Sequence, residues 1–262
     1  MTQITEKDIL SALSRVMDPE LKKDLVSLDM IKDIHIQGSE VSFTLVLTTP
    51  ACPLKNYLQK SAQEAVLAVE GVSNVNINLT ANVSGKPAQT DDKIILPIKN
   101  SIAVSSGKGG VGKTTVAVNL AVSLARSGAK VGLLDADIYG PNVPTMMGIT
   151  ALPPVKDKKI IPAEAYGVKV ISIGFLVKEG QPLIWRGPLL HSTIRQFLVD
   201  VNWGDLDYLI IDLPPGTGDV QLSVAQNLTL TGGLVVTLPQ KVSVEEASRG
   251  LEMFNKLNSP IL

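Results

Sequence analysis

The stretch Gly107-Lys-Gly-Gly-Val-Gly-Lys113-Thr114 fits the spacing G-x-x-x-x-G-K-[ST] in full. Each residue type in it has a chemical reason. Glycines let successive backbone N–H groups close around phosphate oxygens with no side chain in the way. A helix starting where the loop ends adds the partial positive charge of its N-terminus. Lys113 is long enough to reach β- and γ-phosphates, and the Thr114 hydroxyl suits a Mg²⁺ ion. Candidate contacts to ATP therefore run from Gly107 through Lys108, Gly109, Gly110, Val111 and Gly112 to Lys113, Thr114 and Thr115. The plainer reading is a glycine-rich turn between a strand and a helix, with no nucleotide.

Three further positions extend the pattern. The apolar run before Asp135-Ala-Asp137 reads as a strand, and carboxylates just past the C-terminal edge of a parallel strand face a ligand crevice. Asp137 is the candidate to position or deprotonate an attacking water. Asp135 is the candidate to support that loop and the water shell of Mg²⁺. Either could instead cap a helix or a turn. Tyr208-Leu-Ile-Ile-Asp212 is another apolar strand ending in a lone aspartate, placed to hold Mg²⁺ through a water. In the loop that follows, Pro214-Pro-Gly-Thr-Gly-Asp219, Gly216 is expected to give a backbone N–H to the γ-phosphate. A loop with no such role is the alternative.

Cys52 stands at the expected cap of a helix, where free N–H groups and the dipole favour thiolate over thiol. It reads either as a reactive thiol or iron–sulfur ligand, or as a small buried hydrophobe. His35 and His191 are not spaced as a metal pair. His35 alternates within a strand and is expected to be exposed, and His191 is expected to serve packing or a helix cap.

These groups need a scaffold that gathers strand ends at one edge. Residues 101–105 are apolar and β-branched, run into the glycine loop, and precede a helix to about Ser127 closed by Gly128. Further strands are expected at 130–134, 168–173, 208–211 and 234–238, with helices at 188–201, 219–228 and 243–257. Strands alternating with helices of this size argue a doubly wound, mostly parallel sheet. Ahead of it, residues 1–80 read helix, strand, strand, helix, strand, a small α+β domain. Thr5 and Asp8 look like an N-cap pair opening a helix through Arg15, and Asp18-Pro19 follows it. Strands are expected at 31–36, 41–47 and 72–79, with a helix from Pro53 to about Glu70. The polar stretch 81–93 reads as a linker to the second domain, 94–262.

Composition narrows the partners. Lys plus Arg number 24 against 25 Asp plus Glu, so bulk charge gives no reason to expect nucleic acid or an anionic membrane. Hydrophobic residues make up 45%, enough for a sizeable core. No apolar run approaches the roughly 18 residues that span a bilayer, and no signal peptide is visible, so a cytoplasmic protein is expected. One cysteine excludes an intramolecular disulfide framework, and by itself it cannot hold a four-thiolate cluster.

The two-lysine loop, Lys108-Gly-Gly-Val-Gly-Lys113-Thr114, resembles the deviant Walker A ATPases typified by MinD, ParA and the nitrogenase iron protein. The resemblance implies a P-loop NTPase fold, a homodimer, and a Lys108 that reaches the nucleotide of the facing subunit. Asp135-Ala-Asp-Ile-Tyr-Gly-Pro-Asn142, Trp185-Arg-Gly-Pro-Leu-Leu190 and Leu213-Pro-Pro-Gly-Thr-Gly-Asp-Val-Gln-Leu222 look like the Mrp/ApbC branch, the iron–sulfur cluster carrier ATPases. The first domain, with Asp18-Pro-Glu-Leu21 and Thr48-Thr-Pro-Ala-Cys-Pro-Leu54, resembles the small domain shared with iron–sulfur assembly factors. Members of the branch carry a C-x-x-C pair beyond a strand that would start near Ile261, where paired subunits bridge a [4Fe–4S] cluster. This sequence has no such pair, so it is expected to be a piece of a longer chain, with its sheet unfinished at Leu262.

The expectation is an ATPase, slow and dimer-dependent, that assembles clusters and transfers them to apo iron–sulfur proteins alongside other assembly factors. Lys108, Lys113 and Asp137 are its catalytic candidates. Thr114, Asp135 and Asp212 are its Mg²⁺ candidates. The alternatives are a MinD/ParA-like positioning ATPase, which would need a membrane-binding segment not visible here, and a non-enzymatic module that only binds apo-proteins.

Overall fold

The computed structural model describes residues 4–50, 52–81, 94, 96–176 and 187–262, and the chain divides into two compact units, Met1–Ser84 and Gly85–Leu262. All of the expected linker after Ala81, and Trp185-Arg186, lie outside the described residues.

In the first unit, α1 (Glu6–Leu13) opens with a reciprocal capping box. Thr5 Oγ1 accepts the Asp8 N–H at 3.3 Å, and the Asp8 carboxylate accepts the Thr5 N–H at 3.0 Å. A small antiparallel pair follows, β1 (Met17–Asp18) and β2 (Lys23–Asp24), around a turn in which Asp18 accepts the Glu20 and Leu21 N–H groups. β3 (Ile31–Gln37) and β4 (Glu40–Leu47) pair antiparallel through a turn at Gly38, whose φ of 63° suits glycine. α2 (Lys55–Leu67) then crosses over, and β5 (Asn74–Ala81) returns parallel to β4. The strict alternation in β4 turns Val41, Phe43, Leu45 and Leu47 inward, against Ile9 and Leu13 of α1 and Leu58, Ala62 and Val66 of α2. This unit therefore has a core of its own.

The second unit is built on a six-stranded sheet. In chain order its elements are β6 (Ile98–Ser106), α3 (Lys113–Arg126), β7 (Val131–Asp135), α4 (Val143–Met147), β8 (Val155–Lys156), β9 (Lys159–Ile160), β10 (Ala163–Ala165) and β11 (Val168–Ser172). A 3-10 turn (Ile173–Leu176), α5 (Gly187–Val199), β12 (Leu206–Asp212), α6 (Asp219–Asn227), β13 (Gly232–Val236) and α7 (Lys241–Lys256) complete it. The strand order is β10-β11-β7-β12-β6-β13, parallel throughout except for the antiparallel edge strand β10. Both faces are covered. Ile102, Val104 and Ile210 pack toward α3, while Ala103, Leu209 and Ile211 point into a second cluster with Ile194 and Phe197 of α5 and Val224 of α6. The period-2 alternation of side chains splits each apolar strand between two helix layers, which is why these strands read as unbroken hydrophobic runs.

The fold class is the expected one, and the structure adds short elements to it. α4 and the strands β8 to β10 span two to five residues each, too few for a periodic signal. At the far end, Ile261 makes a parallel bridge to Gly233, with Leu262 N–H donating to the Gly233 carbonyl at 3.0 Å. The residues expected to begin another strand thus pair alongside β13.

Candidate nucleotide-binding site

β6 delivers the chain to the C-terminal edge of the sheet, where it turns through the glycine loop into α3. Gly110 (φ 80°) and Gly112 (φ 91°) adopt left-handed backbone that disfavours any side chain. Gly112 is the N-cap of α3 and no side chain caps that end, so the first N–H groups of the helix keep their capacity for an anion. A cleft of about 480 Å³ opens there. Gly109, Gly110, Gly112, Lys113, Thr114 and Thr115 of the expected set line it, together with Asp137.

The charges at its floor form one buried network. Lys113, 6% exposed, places Nζ 2.6 Å from Asp212 Oδ1 and 3.3 Å from Asp137 Oδ2. Thr114 Oγ1 donates to Asp212 Oδ2 at 2.7 Å. Burial pushes the Asp212 carboxyl up from its ordinary value, against the opposing pull of Lys113 and Thr114. Asp137 Oδ1 accepts the N–H groups of Tyr139 and Gly140, both at 3.2 Å, which fixes the loop after β7 and leaves Oδ2 toward Lys113. Thr114, which lines the cleft, and Asp212, fully buried against it, offer hard oxygens beside backbone donors, a set suited to Mg²⁺ next to phosphate.

The geometry corrects one expectation, the place of Cys52 at a helix cap, and gives the partners of Asp135, Gly216, Gly107 and Val111. Asp135 does not line the cleft: it is fully buried, and its oxygens accept the Ser172 hydroxyl (2.8 Å) and the Asp137 and Val143 N–H groups (3.2 and 3.3 Å). These bonds of Asp135 support the loop after β7. Burial raises its carboxyl to about 7, despite the Ser172 bond, with Asp212 adding to the rise. Gly216, at φ 92°, gives its N–H to the Ser106 carbonyl at 2.7 Å. Gly107 and Val111 also stay off the cleft wall: Val111 is buried, and a Cβ on Gly107 would meet the Glu246 carbonyl carbon at 2.5 Å. That glycine is needed for the close approach of α7. The helix after Cys52 starts at Lys55 with Leu54 as N-cap, so Cys52 lies before the cap, half-buried against the core of the first unit. Its carbonyl accepts the Lys55 N–H and its own N–H reaches Thr49.

Lys108 does not line its own cleft, and among the described residues its ammonium makes no ion pair. His35 is exposed, and His191 Nδ1 lies 3.4 Å from Ser223 Oγ, joining α5 to α6. Sequence reasoning missed the far wall of the cleft, Tyr139 and Asn142 from the loop after β7 and Thr145 and Met146 from α4. It also missed Ser106, whose hydroxyl donates to the Lys108 carbonyl at 3.0 Å.

Known proteins resemble both units of the chain. Residues 97–262 match the family model described as NUBPL iron-transfer P-loop NTPase, and residues 6–79 match that of an iron–sulfur cluster assembly protein. The chain is 51% identical to an iron–sulfur cluster carrier protein of Synechocystis sp., over 99% of this chain and 75% of that protein. It is 52% identical to one of Deinococcus radiodurans, over 97% and 72%. Against the chloroplastic Fe–S cluster assembly factor HCF101 of Arabidopsis thaliana, identity is 47% over 99% of this chain, which spans half of that protein. Among solved structures, the nucleotide-binding protein of Archaeoglobus fulgidus in complex with ADP matches with TM-score 0.56 and 41% identity, over 63% of this chain and 65% of that one.

Proposed function

The chain belongs to the iron-transfer P-loop NTPases of the NUBPL type, and we propose that it couples ATP binding and hydrolysis to carrying iron–sulfur clusters to apo-proteins. The observation that carries this reading is that identity to the carrier proteins runs through both units, not through the ATPase unit alone.

In this reading the uncapped N-terminus of α3 and the glycine-loop N–H groups hold the phosphates. An incoming phosphate competes with Asp212 and Asp137 for the Lys113 ammonium. Thr114, and Asp212 through a water, would hold Mg²⁺, which when bound neutralises charge on the phosphate oxygens. Asp137, facing the cleft with one oxygen anchored by backbone, orients the attacking water and accepts its proton. Lys108 serves the facing subunit of a homodimer, a role favoured by its lack of an ion pair among the described residues and its position off its own cleft. Turnover is then slow until two subunits meet. The cluster is cargo, and with Cys52 as the only thiol in this sequence its remaining ligands come from elsewhere. Among the described residues no helix is long and apolar enough to cross a membrane.

ATP turnover by the wild type is expected to exceed that of Lys113→Ala by at least about 100-fold. Equal rates would end the enzyme reading. Anaerobic reconstitution of the complete gene product with iron and sulfide should give a thiolate-to-iron charge-transfer band and activate an apo-ferredoxin. A protein that hydrolyses ATP but neither binds nor passes on a cluster would defeat the carrier reading.

A further inference from the structure

The loop between β12 and α6 is held by a side chain that the nucleotide chemistry leaves unused. Gln221, on the first turns of α6 and 2% exposed, donates through Nε2 to the Pro214 carbonyl at 2.8 Å and to the Gly216 carbonyl at 2.9 Å. Between those carbonyls sits the Gly216 N–H, given to the Ser106 carbonyl at 2.7 Å. Ser106 in turn gives its hydroxyl to the Lys108 carbonyl, so one run of hydrogen bonds joins α6 to the glycine loop. Pro214 and Pro215 have no N–H, which leaves carbonyls and the Gly216 amide as the backbone handles of that segment. Gln221 grips one carbonyl on each side of that amide along the chain, those of Pro214 and Gly216.

We propose that Gln221 is a positioning residue that latches this loop in a withdrawn setting, with the Gly216 N–H sequestered by Ser106 until ATP draws it toward the cleft. Pro215 already lines the cleft, so the adjoining amide is within a local backbone rotation of it. A Cβ at Gly216 would meet nothing within 4 Å, and glycine has the conformational range for that rotation. The latch is built to release. Gln221 Oε1 is buried with no hydrogen-bond partner, so the gripped state carries the cost of an orphan acceptor that weakens its hold.

The proposal rests on the ATPase reading of the cleft, but its first test needs no nucleotide. In Gln221→Met, which keeps the volume and removes the donors, amide exchange in the segment 213–220 should rise about tenfold while the rest of the sheet stays protected. With ATP, kcat should rise about threefold at a KM within about twofold of the wild type, because the loop is released only after ATP has bound. Unchanged exchange in that segment, or a kcat that stays level or falls, overturns the latch. If Gln221→Met does not fold, Gln221→Asn keeps the amide but withdraws it by one methylene, and it gives the same two readings. Absence of turnover in the wild type would defeat the proposed function and leave the exchange test standing.

Discussion

Asp135 shows how a residue with the right chemistry can hold the wrong post for it. Parallel registration sets Asp135 directly beside Asp212, and both are sealed from solvent. Only one of the two has a cation: Lys113 lies against Asp212, while Asp135 is left with neutral donors. Burial, with Asp212 adding to it, raises its carboxyl to about 7 in the folded chain, against an ordinary value of 3.8. The folded state binds the proton more tightly, so the stabilisation is complete below about pH 4 and is lost as pH rises through 7, by at most about 1.4 kcal/mol per unit. Thermal midpoints of the wild type should fall between pH 5 and pH 8 relative to those of Asp135→Asn, which stays neutral throughout. Parallel pH profiles for the two proteins would show that Asp135 is charged in the fold.

At the scale of elements, the glycine loop divides into positions that serve the ligand and positions that serve packing. Gly109 has open space where a Cβ would go, whereas Gly107 faces the backbone of α7, with the Ala247 nitrogen 2.7 Å from a Cβ. A helix backbone cannot step aside as a flexible side chain can. Gly107→Ala should cost about 1–3 kcal/mol in urea unfolding, and Gly109→Ala should stay within about 0.5 kcal/mol. Both should weaken ATP in a binding titration, Gly109→Ala by blocking the loop and Gly107→Ala by displacing it. Equal stability for the two variants would remove the packing role assigned to Gly107. The motif spacing announces both glycines in the same terms; the approach of α7, more than 130 residues later in the chain, separates them.

For the whole molecule, the prediction concerns autonomy. The first unit has its own core, drawn from residues between Ile9 and Val75, and the cleft draws its lining from Ser106 to Pro215. Expressed separately, 1–84 and 85–262 should each melt cooperatively, and 85–262 should bind Mg-ATP within about threefold of the intact chain. A second piece that unfolds or loses ATP would mean that the two units depend on each other.

Local chemistry was enough to place the glycine loop, the apolar strands and the aspartates at their ends, because a phosphate cradle and a two-face-covered strand each need particular residue types at fixed spacing. The same reasoning could not say which way Gly216 points its N–H, which aspartate Lys113 pairs with, or where the helix after Cys52 begins. Those depend on partners distant in sequence, or on a turn whose alternatives differ by single hydrogen bonds. Gly216 meets Ser106 because β12 lies parallel to β6, and Asp212 rather than Asp135 receives Lys113 because α3 starts over that strand end. The sequence alone determined that a phosphate-cradle loop stands at the edge of a parallel sheet. The tertiary structure decided which groups remain available there, since a buried donor or charge takes whichever partner the packing brings within reach.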